Sequence, residues 1–94
     1  MTDPGKNTPT DSLLEFPCQF PIKMMGRKNN EFQSIAIALV ENHAGEIAAS
    51  AIRLAPSRNG KFVSVTVHIE ARSQEQLDDI YRDLSACEDI LVAL

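Results

Sequence analysis

The chain has 94 residues, 44% hydrophobic and 23% charged, with a formal net charge of −4. That length holds one hydrophobic core, and the longest apolar run, Ile35-Ala36-Ile37-Ala38-Leu39-Val40, is far short of the ~20 residues that cross a bilayer. A net acidic balance argues against a polyanion partner unless a basic site is local.

Residues 1–12, MTDPGKNTPTDS, contain two prolines, a glycine and a single apolar side chain, Met1. They bury too little to offset their ordering entropy and are expected to form a disordered leader, with one domain over 13–94. No basic region followed by an apolar one opens the chain, so a secretory leader is not expected and the cytoplasm is the default compartment. Leu13, Leu14 and Phe16 precede Pro17 and should tuck against the body as an irregular turn.

Phe20, Ile22 and Met24 alternate with polar or outward positions, which predicts a first strand stopped by Gly26, with Pro21 near its start. Asn30 can cap a helix, with Gln33 three residues on as a partial capping box. Phe32, Ile35, Ala36, Leu39 and Val40 follow the helical period, and the flanking caps and two alanines favour a helix over a buried strand. His43 falls where it would face the helix dipole, and Gly45 where a left-handed residue closes the helix. Ile47 to Ala55 reads as an edge strand ended by Pro56.

Ser57-Arg58-Asn59-Gly60-Lys61 then reads as a hairpin turn whose Asn59-Gly60 supplies positive φ. Val63, Val65, Val67 and Ile69 share one strand face; Phe62, Ser64, Thr66, His68 and Glu70 share the other. Ser73-Gln74-Glu75-Gln76 is a full capping box. Leu77, Ile80, Tyr81 and Leu84 form the apolar stripe of a second helix, and Asp78, Asp79, Arg82 and Asp83 its wet face. Ile90 to Leu94 reads as a last strand. The order βαββαβ predicts an α+β, ferredoxin-like two-layer sandwich: a four-stranded antiparallel sheet with both helices on one face.

The other sheet face is the first candidate site. Met25, Phe62, Ser64, Thr66 and His68 are expected on it, with Ala51 and Leu91 adding to a mixed apolar patch of the kind that marks an interface. The second candidate is the loop Gly26, Arg27, Lys28, Asn29 and Asn30, where a helix N-terminus and two basic residues suit an anionic or amino-acid ligand. RNA binding is disfavoured, since Ser64, Thr66 and His68 offer no aromatic stacking platform. No catalytic residues are assigned: Ser57, Ser64 and Ser73 lack an adjacent base, and no carboxylate pair is isolated in apolar surroundings. The two histidines and two cysteines have no metal-ligand spacing, so neither a metal nor another cofactor is expected, and Cys18 and Cys87 should be free thiols.

Leu13-Leu14-Glu15-Phe16-Pro17, Phe20-Pro21-Ile22-Lys23-Met24-Met25-Gly26 and Gly60-Lys61-Phe62-Val63-Ser64-Val65-Thr66-Val67, followed by Glu75-Gln76-Leu77, Ile80-Tyr81 and Leu84, resemble the YbeD-like proteins in order and spacing. The resemblance implies a small cytosolic bacterial protein with a ferredoxin-like fold similar to ACT-type regulatory domains. It brings no established catalytic residues. In ACT domains effectors bind near the loop after the first strand, which corresponds by analogy to Gly26–Asn30. The expected function is a non-enzymatic regulatory or protein-interaction domain, with a protein partner or self-association; the alternative is a small-metabolite sensor. Neither nucleic acid nor membrane is an expected partner.

Overall fold

A computed structural model describes residues 15–29 and 31–94. The expected leader, the turn residues Leu13 and Leu14, and the cap assigned to Asn30 lie outside the described residues. The elements are β1 (Cys18–Arg27), α1 (Phe32–Ala44), β2 (Ile52–Pro56), β3 (Phe62–Ala71), α2 (Gln74–Ala86) and β4 (Val92–Ala93), with a short 3-10 turn at Ala49–Ala51 before β2. All strand pairs are antiparallel, in the order β2-β3-β1-β4. The protein is an α+β, ferredoxin-like sandwich.

Two-residue alternation decides which face of the sheet is dry. Ile22, Met24, Val65, Val67, Ile69 and Ala71 point to one side and are buried. Phe32, Ala36 and Val40 of α1 and Leu77, Ile80 and Leu84 of α2 join them in a single core. Each large side chain taken out of water there contributes about 1.5–3 kcal/mol. The helix layer stops short of the edge strand. Leu54, opposite fully buried Val65, is half exposed at the rim of β2.

Several local expectations need correction. Gly26 does not stop β1, which continues through Arg27. Ile47–Ala55 is not one strand: the 3-10 turn takes Ala49–Ala51, leaving β2 shorter and Pro56 inside it. The last strand is confined to Val92–Ala93, because the chain turns at Cys87–Ile90, where the Ile90 N–H donates to the Cys87 carbonyl at 3.2 Å. Only Gly60 of the hairpin pair has positive φ, at 77°; Asn59 contributes through its side chain.

The helix ends are closed by specific groups. Asn29 Oδ1 accepts from the N–H groups of Glu31 (2.8 Å) and Phe32 (2.7 Å) at the start of α1. Gly45 ends α1 at φ 80°, a region that excludes side chains. Ser73 Oγ accepts from the Gln76 N–H at 3.0 Å. Gln76 does not return to Ser73 as the capping box predicts. Its Oε1 accepts from the Arg72 N–H at 2.6 Å, and its Nε2 donates to the His43 carbonyl at 3.0 Å. One side chain thus ties the start of α2 to the end of α1. His43 Nε2 adds a second tie, 2.6 Å from Asp83 Oδ2.

The role of Gly26 lies in close approach. A Cβ there would sit 2.5 Å from Phe32 Cδ1, closer still to Cε1, and 2.6 Å from the Asp89 carbonyl oxygen. Neither the buried ring nor the backbone oxygen has room to retreat. Gly26→Ala is therefore expected to destabilise the protein by about 2–3 kcal/mol through overpacking, read as a lower urea midpoint. Phe32→Leu in the same chain should recover part of that loss, giving a non-additive double-mutant cycle.

Candidate functional site

The sheet face that neither helix covers among the described residues is organised in rows by the strand register. Val92, Met25, Ser64 and Ala55 form one row across the four strands. Lys23, Thr66 and Arg53 form the next, with Leu94 beside Lys23 through paired backbone bonds of 2.8 and 3.2 Å. On the other side of the Met25 row, Arg27 stands opposite Phe62. Toward the far end, His68 faces Pro21 and Glu70 faces Gln19. Met25 is 37% exposed, Val92 42% and Leu94 71%. They border a shallow depression of about 70 Å³ with Lys23, Met24 and Ser64.

The face expected from alternation, Met25, Phe62, Ser64, Thr66 and His68, is thus brought onto one surface. The two outlying members fare differently. Ala51 lies in the 3-10 turn, in a recess that it shares with His68 and Arg72. Leu91 precedes β4 and borders a corner cleft. Val92 and Leu94 occupy the place assigned to Leu91. A register shift of one residue exchanges the two faces of a strand, and a two-residue β4 has no alternation of its own from which to read that register.

The two basic loops, separate in sequence, meet in space. The Lys28 N–H donates to the Lys61 carbonyl at 2.9 Å, which places Arg27-Lys28 beside Arg58–Lys61. The hairpin turn is held internally: Asn59 Oδ1 accepts from the Ser57 hydroxyl (2.9 Å) and the Lys61 N–H (3.0 Å), and Ser57 Oγ accepts from the Phe62 N–H (3.1 Å). The Arg27 guanidinium carbon sits 5.9 Å from the centre of the Phe62 ring, within cation–π range.

Of the loop Gly26–Asn30, Gly26 is buried under Phe32, Arg27 covers Phe62, and Asn29 occupies the first helix donors. Lys28 is exposed and Asn30 is outside the described residues. Beside this loop lies a cleft of about 170 Å³ lined by Arg27, Asn29, Glu88, Asp89 and Leu91. A larger, open polar recess of about 400 Å³ lies where α1 ends and α2 begins, around Asn42, His43, Arg72 and Gln76. Cys18 and Cys87 are free and half-buried. Among the described residues, no His, Cys, Asp and Glu side chains cluster as a metal site, and no helix is long and apolar enough to cross a membrane.

Residues 11–94 match the family described as "Protein of unknown function (DUF493)". The chain belongs to that family. Relatives include the UPF0250 protein of Paraburkholderia phytofirmans, 43% identical over 84 residues that cover 89% of this chain and 94% of the relative. The UPF0250 protein of Neisseria gonorrhoeae is 42% identical over 94 residues, the full length of both chains, and that of Hahella chejuensis is 37% identical over the same span. These are the YbeD-like proteins that the sequence resembles. The solution structure of protein HP0495 from H. pylori superposes with a TM-score of 0.71 at 18% identity, covering 100% of this chain and 96% of that one. That match agrees with the sandwich described above for this chain.

The apolar end of the open face is held in place from behind. The Tyr81 hydroxyl on α2 donates to the Leu94 carbonyl at 2.7 Å, and burial raises its pKa above the ordinary value of 10.0. The folded protein then keeps a proton that the unfolded chain releases, so stability falls as pH climbs past 10. Tyr81 is the single tyrosine, so its tyrosinate absorbance should titrate above pH 10 in the native protein. Tyr81→Phe is expected to flatten the alkaline decline in urea-unfolding stability.

Proposed function

We propose that this protein is a non-enzymatic regulatory or protein-interaction domain of the bacterial cytoplasm, working through its uncovered sheet face. The observation that carries this reading is the row Val92–Met25–Ser64–Ala55 with Leu94 alongside: the partly exposed apolar side chains Met25, Val92 and Leu94 on a hydrogen-bonded sheet, framed by charged neighbours. An apolar centre with a polar rim is the common anatomy of a protein interface. Several polar side chains that resemble catalytic groups already have structural duties. Ser57 builds the hairpin turn, Ser73 caps α2 and His43 contacts Asp83.

A second reading rests on the corner cleft. Arg27 and Asn29 on one wall and Glu88 and Asp89 on the other offer both signs of charge, which suits a zwitterion such as a free amino acid. A sensor of this kind is stabilised by about 2.7 kcal/mol at a hundred times its Kd, a shift that a thermal screen of amino acids reads directly. An interaction domain gives no shift with any of them.

Met25→Glu places a carboxylate in the apolar row without touching the core. The expected outcome is an unchanged melting curve together with loss of the proteins that cross-link to and co-purify with the wild-type chain. A wild-type chain that sediments as a monomer and retains no partner, or a variant that retains the same ones, removes the basis for the reading.

A further inference from the structure

The charges of the described residues are sorted by layer. The helices carry Glu41 on α1 and Glu75, Asp78, Asp79 and Asp83 on α2. Arg82, the basic residue of α2, is held by Asp79 at 2.8 Å. The open face is the reverse. Lys23, Arg27 and Arg53 project from it, where Glu70 is the one acidic side chain of the described residues, and the basic loops with Lys28, Arg58 and Lys61 adjoin its Phe62 end. Glu88 and Asp89 neighbour Arg27 at one corner. A chain with net charge −4 therefore presents a locally basic surface where its apolar row is exposed.

The rows give that surface a pattern. The row of Val92, Met25, Ser64 and Ala55, apolar except for Ser64, runs between a basic row, Lys23 and Arg53, and a second one at Arg27. Same-face rows lie about 7 Å apart along a strand, and four strands span about 14 Å across. A helix of roughly three turns covers that width at about 1.5 Å per residue. We propose that the open face docks an acidic amphipathic helix of another protein, its apolar stripe in the Met25 row and carboxylates on both borders reaching Lys23, Arg53 and Arg27. This rests on the reading of the protein as an interaction domain and adds the chemistry of the partner.

Two other occupants fit less well. A second copy would bring basic face against basic face, and its own acidic helix α2 has its apolar stripe, Leu77, Ile80 and Leu84, buried in the core. RNA recognition at a sheet of this kind relies on aromatic platforms, and Phe62 is already covered by Arg27.

The test uses the full chain and two labelled helix-forming peptides, one with a leucine stripe bordered by glutamates and one with lysines in their place, alongside a single-stranded RNA oligonucleotide. In fluorescence anisotropy the glutamate peptide should bind, and more tightly as salt is lowered. Met25→Glu should abolish binding. The double variant Lys23→Glu/Arg53→Glu, checked by its melting curve, should weaken it roughly tenfold or more. Failure of the glutamate peptide to bind, equal binding of the lysine peptide, indifference to the double variant, or tighter binding of RNA each overturns the proposal. If Met25→Glu still releases a co-purifying protein while the glutamate peptide fails to bind, the acidic helix is wrong and the interaction reading stands. If neither depends on Met25, both are wrong.

Discussion

The whole arrangement turns on the ring of Phe32 lying against the bare backbone of Gly26. Three elements converge there: β1 through Gly26, α1 through its first residue, and the approach to β4 through the Asp89 carbonyl. Because the ring occupies the space of a missing side chain, α1 can begin close after β1 and still press its apolar face onto the sheet. The connecting loop is correspondingly short, and Asn29 satisfies the helix donors that such an abrupt start exposes. The position of Arg27, and hence of one border of the open face, is inherited from this contact.

The helix layer is fixed by a second, polar device. Gln76 spans Arg72 and the His43 carbonyl, and His43 meets Asp83, so the helices are linked at one end of their contact as well as through the core. The layer is therefore rigid where it touches the sheet from behind, with Tyr81 extending that support to Leu94. The exposed apolar row rests on an ordered base, which lowers the ordering cost of any contact made there.

Much of this architecture is legible in the residues. Val63 to Ile69 alternate so strictly that β3 and its dry face follow from the period, and Ser73 with Leu77, Ile80 and Leu84 marks α2 and its buried stripe. What is not legible concerns partners distant in sequence. Gly26 between Met25 and Arg27 has the signature of a stop, and only the approach of Phe32 shows it to be a packing site. Asn59 resembles a positive-φ turn residue, yet its carboxamide does the work. For the open face, alternation places Met25 and Phe62 correctly, but Val92 and Leu94 depend on the β1–β4 register, which two residues of strand do not encode. The meeting of the two basic loops depends likewise on one backbone bond between Lys28 and Lys61.

Among the described residues, sorting the charge by layer leaves the sheet side more positive than the helix side. In the field of a negatively charged surface, such a body rotates to lead with its sheet before any contact is made. The orientational search that slows most protein encounters is shortened in that case, and the benefit fades as salt screens the field. For the docking proposed above, a modest apolar row then favours quick association without tight holding, a combination suited to contacts that must form and dissolve often.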